Sequence, residues 1–296
     1  MLDNTERIQS RLKNIQSIEP LVRSLRTISL GAWRIALNKK KYLSNYRLEI
    51  KYILRILQET EKSNLSKKEY ISQQETIKIK YILIGSERGL CGNFNKQVFN
   101  KFIEIKKYED VKEENIEVTL IGTQLKKVFQ AEGQLFHHFY TLANITKSFY
   151  QFAHQIIIKV LENKAIVGNS GIFIIYNKYV NSVYYNPTMI QLSPLAKYSE
   201  TKNYLNPIWP SPIIDSSPEE LYEHIQNHLI VINFLACLLE SQASEQSSRF
   251  QNLDEASHNT QRIINDLQIR ALQNKRKEIT REVQELALAA GLLNNS

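Results

Sequence analysis

From Glu219 to Ala290 the chain contains neither proline nor glycine. Those two residues are the strongest punctuators of regular structure, so a stretch this long without them dictates a very long helix. Its beginning is marked. Ser217-Pro218-Glu219-Glu220 supplies a capping residue, a proline where the first helical N–H has no partner anyway, and acids in the first turn. Late in the run, Ile269, Leu272, Ile279, Val283, Leu286 and Ala290 recur at spacings of three and four, with Arg276 in the one polar slot. A pattern longer than an ordinary globular helix, with a narrow apolar seam, predicts a coiled coil.

The other end of the chain reads the same way. Between Asp3 and Leu57 there is one glycine, Gly31, and one proline, Pro20. Ile8, Leu12, Ile15, Ile18, Val22, Leu25, Ala32 and Ala36 form a seam of mixed threes and fours, with Ser29 in a polar slot, and Leu21, Ile28 and Ile35 widen it. Pro20 removes one helical hydrogen bond, and a bend is expected there. The economical arrangement buries the two seams against each other.

Between these ends, strand and helix signals alternate. Strands are predicted at Ile77–Ile84, Ile116–Ile121, Gly171–Tyr176 and Thr188–Leu192, and helices at Asn93–Lys107, Thr123–Ala131 and Ser148–Glu162. That alternation predicts a mostly parallel, doubly wound α/β sheet. Glu61–Lys68 reads as a polar linker, and Ser193–Pro218, with five of the seven prolines, as a second linker or loop. The expected division is therefore 1–60 for the first helix, 70–195 for the α/β domain and 215–296 for the last helix.

Composition limits the function classes. A surplus of 38 Lys+Arg over 30 Asp+Glu gives a net charge of +8. It suits an acidic protein, a nucleic acid or an anionic surface without choosing among them. Two distant cysteines, Cys91 and Cys237, make no disulfide framework and fit a reducing, intracellular setting. The charged N-terminus has no apolar core of a signal peptide, and Leu229–Leu239, the most apolar run, is too short to span a bilayer. Any membrane contact is then expected through partners.

Each candidate site also has a plainer structural explanation. Gly85–Gly92 is a glycine-rich turn from strand to helix, a place where phosphate can bind. It lacks both GxGxxG and the Gly-Lys-Ser/Thr of a P-loop, so a tight structural turn is the better reading. Cys91 with His137, His138 or His154 shows no nucleophile spacing, and the same residues show no metal-ligand spacing. His154 reads as a core or interface histidine. No catalytic, cofactor or metal site is expected. The clusters Lys39-Lys40-Lys41 and Lys275-Arg276-Lys277 could line a phosphate backbone or simply be solvated helix faces.

Several ordered segments resemble the gamma subunits of F-type ATP synthases. The resemblance runs from Arg7–Ser29 through Ser86–Asn95 (SERGLCGNFN, close to the family's SDRGLCGGFN). It continues through Tyr176–Tyr179, Ser244–Phe250 (SEQSSRF beside SEQAARM) and Ala256–Asn259 to Leu267–Val283. Ser86, Arg88, Gly89, Cys91 and Gly92 carry the signature turn. The resemblance implies an antiparallel coiled coil of the terminal helices with a Rossmann-like α/β domain, α+β overall. It implies a non-catalytic central-stalk rotor shaft that couples ion flow through a c-ring to conformational cycling of the catalytic beta subunits. The implied partners are the alpha and beta subunits of the hexamer, the epsilon subunit and the c-ring, with no cofactor and no nucleic acid. The implied place is the periphery of an energy-transducing membrane, bacterial plasma membrane or thylakoid.

The family's contacts with acidic beta-subunit loops map here onto Gln246, Arg249, Lys275, Arg276, Thr280 and Glu282. Charge-assisted bonds from such residues would act as a breakable catch. The sequence departs from the family at Arg26, Thr27, Trp33 and His258, and in the Lys275-Arg276 pair. A gamma-like regulatory or assembly protein and a basic coiled-coil nucleic-acid binder stay open as alternatives.

Overall fold

The computed structural model describes residues 2–60, 79–108, 113–142, 149–162, 171–195 and 217–289. The expected linker Glu61–Lys68, most of the proline-rich stretch and Ala290 lie outside them. The elements are α1 (Leu2–Thr60), β1 (Ile79–Ile84), α2 (Phe94–Tyr108), β2 (Ile116–Ile121), α3 (Thr123–Ala131), β3 (His138–Tyr140), α4 (Phe149–Glu162), β4 (Gly171–Tyr179), β5 (Tyr185–Ser193) and α5 (Pro218–Ala289). The chain divides into two compact units, one of residues 1–30 with 249–296 and one of residues 31–248.

The larger unit is built on a five-stranded sheet of order β3-β2-β1-β4-β5. Strand β1 pairs in parallel with β2 and β4, and β2 in parallel with β3. A central parallel strand is covered on both faces, which is why Ile79–Ile84 is buried at every position instead of alternating. On one face α2 and α3 pack Val98, Phe102 and Phe129 onto Tyr81, Leu83 and Leu120. On the other, α4 and the first third of α5 pack Ile156, Ile157, Phe234 and Leu238 onto Ile82, Ile84 and Ile174. Leu229–Leu239, the apolar run of the sequence, is consumed in this core. No helix among the described residues is long and apolar enough to cross a membrane.

Two features of the sheet escape the sequence pattern. β3 is three residues long, too short for any periodicity to show. β5 is antiparallel to β4, running from Tyr185↔Tyr179 to Ser193↔Ile172. The turn between them is held by Asn181, whose carboxamide accepts the N–H groups of Val183 and Tyr184 at 2.9 and 2.8 Å.

In this unit α1 and α5 run side by side with opposed direction. Lys40 pairs with Glu240, Tyr46 meets His228, and Ile50 and Leu54 pack on Leu229. Among the buried and half-buried positions of α1 here, Trp33, Ala36, Lys40, Leu43, Arg47, Ile50, Leu54 and Leu57 form a line at alternating spacings of three and four, with Ala32, Leu37, Lys51, Tyr52 and Ile56 half-buried beside it.

The smaller unit pairs the beginning of α1 with the end of α5. Arg26 bonds Asp254 at 3.1 Å and lies over the Phe250 ring at 5.6 Å. The half-buried line on α1 is Ile8, Leu12, Ile15, Glu19, Val22, Arg26 and Ser29; on α5 it is Leu253, Ser257, Thr260, Ile264, Leu267, Ala271, Asn274 and Glu278. The predicted seams are corrected at this point. Ile18 and Leu25 give way to Glu19 and Arg26, and Leu21, Ile28 and Ile35 are exposed. On α5, Ile269, Leu272, Ile279, Val283 and Leu286 lie outside the seam, with Leu272 62% and Leu286 69% exposed. The reason is geometric. A helix with two lines of the same three-four rhythm offers two candidate seams, and the one chosen depends on what the neighbour can pair. Arg26 gains an ion pair and a ring face that Leu25 could not use. Helix α1 continues through Pro20.

Gly122, between β2 and α3, has φ +101, and a Cβ there would lie 2.8 Å from the backbone of Gly85 and Ser86. Gly122→Ala should therefore cost about 2 kcal/mol, from left-handed strain plus backbone displacement. Urea unfolding of the purified chain measures this; a cost within 0.5 kcal/mol, the scale of an ordinary surface change, would show the loop to be compliant.

Candidate functional site

The turn after β1 is assembled from its own polar side chains. Asn95 accepts the Ser86 N–H through Oδ1 at 2.8 Å and donates from Nδ2 to Ser86 Oγ at 2.8 Å. Ser86 Oγ donates to Arg88 O at 3.0 Å and lies 3.3 Å from Cys91 Sγ. Leu90 takes φ 66 and Gly92 φ 57, so two left-handed residues frame the buried Cys91. Arg88, Gly89 and Leu90 are thereby displayed to solvent above a buried base of Ser86, Cys91 and Asn95. Cys91 Sγ also has Asn95 Nδ2 at 3.8 Å, so the thiol sits within the polar base of the turn.

In open α/β sheets the crevice past the carboxyl ends of the strands takes ligands, often a phosphate on a helix N-terminus. Here a carboxylate of the chain itself fills that role. Glu87 accepts the Thr123 hydroxyl, the Thr123 N–H at 3.3 Å, the Thr141 hydroxyl at 2.8 Å and the Leu142 N–H at 3.0 Å. It caps α3 and ties the ends of β1, β2 and β3 together. Partial burial pushes its carboxyl up, but the bonds from Thr123, Leu142 and Thr141 together hold it below the ordinary carboxylate value.

The buried third of α5 carries a second set of polar contacts. Ser244 Oγ donates to Asn177 O at 2.9 Å, Ser247 Oγ to Ser182 O at 2.6 Å and Ser248 Oγ to Cys91 O at 3.0 Å. Three serines at spacings of three and one thus engage β4, the β4–β5 turn and the signature turn. Asn177 in turn donates to Phe94 O at 2.8 Å. One turn earlier on α5, Glu240 is 9% exposed. It accepts the Tyr176 hydroxyl at 2.8 Å and pairs with Lys40, so one carboxylate joins β4, α5 and α1. Burial, with Glu240 and Cys237 alongside, drives the Tyr176 phenol far above its ordinary value. Burial likewise pushes the Cys237 thiol up to about 12. Neither group is a nucleophile in this setting.

The chain as a whole matches a known family. The sequence profile of the ATP synthase family, in its gamma branch, matches residues 4–291. The chain belongs to that family. It is 24% identical over 290 residues to the ATP synthase gamma chain of Buchnera aphidicola subsp. Baizongia pistaciae, covering 97% of each chain. It is 26% identical over 290 residues to the gamma chain of Clostridium kluyveri, again covering 97% of each. Its fold is similar to a chain of the Euglena gracilis mitochondrial ATP synthase (OSCP/F1/c-ring), at TM-score 0.63, 14% identity and coverage of 100% and 98%. It is also similar to a chain of the central stalk/c-ring of the Tetrahymena thermophila mitochondrial ATP synthase, at TM-score 0.58 and 16% identity, covering 80% of this chain and 99% of that one.

Within this family member the residues mapped from the beta-contact motifs separate by environment. Lys275, Arg276, Thr280 and Glu282 are all exposed, and the Thr280 hydroxyl donates to Arg276 O at 2.9 Å. Arg276 is therefore no seam breaker: the half-buried line passes through Asn274 and Glu278. Gln246 is half-buried and Arg249 is 8% exposed. In place of the family's two alanines, Ser247 and Ser248 make carbonyl bonds that alanine cannot. The departures Arg26 and Trp33 also have partners, Arg26 with Asp254 and Trp33 with the Tyr179 ring at 6.3 Å. His258 lies 3.8 Å from Asp254.

Histidine readings change too. His137 uses Nδ1 to accept the Val118 N–H at 3.0 Å, and His138 pairs with Glu117 at 3.1 Å, so both belong to the sheet edge. His154 is exposed on α4 and stacks on Tyr150 instead of entering the core. Among the described residues no group of three side chains is placed to hold a metal ion.

Two outcomes follow. A carboxyl whose folded value is depressed contributes stability that is present above its unfolded value and lost as pH falls through the folded one. Wild type should thus lose stability below about pH 4.5 more steeply than Glu87→Gln, while Glu87→Gln is the less stable of the two at pH 7. Parallel urea titrations at pH 7 and pH 3.5 read the difference, and identical pH slopes would remove Glu87 from the account. Separately, Tyr176→Phe should cost about 2 kcal/mol by stripping a buried carboxylate of one donor. Calorimetry on the purified chain checks it.

Proposed function

We propose that this chain is the central rotor shaft of an F-type ATP synthase, transmitting rotation without performing bond chemistry. The observation that carries the reading is the match to the family along almost the whole chain, residues 4–291. The structure supports it in two ways. The Glu87 carboxylate stands where an open α/β sheet would take a phosphate. The end of α5 carries an exposed apolar line, Ile269, Leu272, Ile279, Val283 and Leu286, interleaved with the exposed cations Lys275, Arg276 and Arg281. Apolar surface repeated along one helix face fits insertion into an apolar sleeve. The cations fit acidic loops that are gripped and released as the shaft turns.

The partners on this reading are the alpha and beta subunits of the catalytic hexamer, an epsilon subunit and a membrane c-ring. The Tetrahymena and Euglena chains come from assemblies that contain a c-ring. Contact with an energy-transducing membrane is then through the c-ring, on its cytoplasmic or stromal side. Gln246, Arg249, Lys275, Arg276, Thr280 and Glu282 form the catch toward beta.

The test is reconstitution. Mixed with alpha and beta subunits, the purified chain should give a stoichiometric complex with ATPase activity; a hexamer that assembles and turns over indifferently to this chain would sink the reading. In that complex the double variant Lys275→Glu with Arg276→Glu should lower ATP-driven turnover by about 10-fold, the scale of 1.4 kcal/mol lost at the catch, while the complex still assembles. Unchanged turnover would assign these residues to a merely solvated face.

A further inference from the structure

The larger unit has a cleft of about 450 Å³ between α4 and the start of α5 that plays no part in the proposed function. Its floor is apolar, including Ile157 and Val231, and its rim carries Tyr150 and three histidines, His154, His224 and His228. Among the described residues, no lysine, arginine, aspartate or glutamate lines it.

His224 and His228 are four residues apart on α5. On a helix that spacing stacks two side chains on one face, with Cβ atoms about 5–6 Å apart, within reach of a single ion for two imidazoles. Of the two, His228 is already oriented. Tyr46 Oη lies 2.9 Å from its Nε2, and Tyr150 Oη lies 3.4 Å from its Nδ1. Ligation through Nδ1 takes the tautomer in which Nε2–H donates to Tyr46, with the Nδ1 lone pair on the side where Tyr150 lines the cleft. The long contact to Tyr150 is the easier one to give up. In that tautomer the far ring nitrogen is held by an outer hydrogen-bond partner, as in metal-ligating imidazoles.

We propose that His224 and His228 form a two-histidine site for a borderline divalent transition ion such as Zn²⁺ or Ni²⁺. Water completes the coordination, and Tyr46 is the positioning residue behind His228. Imidazole nitrogen suits these ions, and a cleft without cationic side chains does not repel them. His154, on the opposite wall and stacked on Tyr150 at 5.9 Å, is not a required ligand. The inference does not depend on the rotor reading, because it concerns the isolated chain.

Isothermal titration of the purified full chain with Zn²⁺, and separately with Ni²⁺, tests it. One ion should bind per chain in the micromolar range. His224→Ala and His228→Ala should each weaken binding by about 10-fold or more, and Tyr46→Phe by about 10-fold, the range for loss of an outer-shell partner. His154→Ala should leave affinity within about 3-fold, the spread of context effects on a residue that is not a ligand. A second readout is thermal: the ion should raise the unfolding temperature of wild type but not of His224→Ala, an exposed substitution that leaves the fold intact. Absence of binding, or binding unchanged in His224→Ala, overturns the site, as does binding abolished by His154→Ala but kept in His224→Ala.

Discussion

The larger unit depends on one buried carboxylate. Helix α5 between Leu229 and Ser248 is buried nearly all round, since it faces the sheet on one side and α1 on another. A helix in that position would ordinarily be apolar throughout. Instead it carries Glu240, Ser241, Ser244, Glu245, Ser247 and Ser248 in the buried stretch. Each such group costs stability unless it finds a partner. Glu240 finds two, Tyr176 and Lys40, on two different elements, and Ser244, Ser247 and Ser248 find carbonyls on the α/β part. Directional bonds fix the rotation of α5 about its axis, which apolar contact alone leaves loosely specified. For a shaft that must carry torque, resistance to that rotation is the property that matters.

The same logic explains which parts of the coiled arrangement could be read in advance. That both ends of the chain are long helices was plain from the absence of proline and glycine. Their seams were only half plain. Ile8, Leu12, Ile15, Val22 and Ala36 are on the seam, but it continues through Glu19, Arg26, Ser29, Lys40 and Arg47. A count of apolar residues cannot find a seam made of long cations, whose stems cover apolar surface while their heads pair across it. Arg26 with Asp254 and Lys40 with Glu240 are both such cases. The apolar residues left over, Leu21, Ile28, Leu272 and Leu286 among them, are exposed, and on the proposed function their counterpart surface would belong to another subunit. Burial is a relation between surfaces, and one sequence holds only one side of it.

The sheet was legible where strands are long and buried on both faces, as Ile79–Ile84 is. It was not legible at its margins. β3 has three residues, and β5 is an edge strand with no continuous apolar run, so its antiparallel direction depends on the Asn181 turn. The Gly85–Gly92 turn illustrates a different limit. Its pattern favours a tight turn over a phosphate loop, since both phosphate-loop motifs are missing, but it does not show what occupies the crevice above it. Glu87 does, through bonds to residues 36 to 55 positions away that no local motif contains.

That carboxylate also bears on how such a fold can serve mechanics. A Rossmann-like sheet with an open crevice would loosen and tighten with the nucleotide it bound. Here the crevice end is closed by a carboxylate that four donors bond to and that those bonds hold below the ordinary carboxylate value. The loops that would move on ligand exchange are instead cross-tied to α3 and to the end of β3. A crevice end occupied by the chain's own carboxylate is a poor place for an anionic phosphate. In a machine where neighbouring subunits cycle through nucleotide states, a transmitting part works best when it has no such cycle of its own.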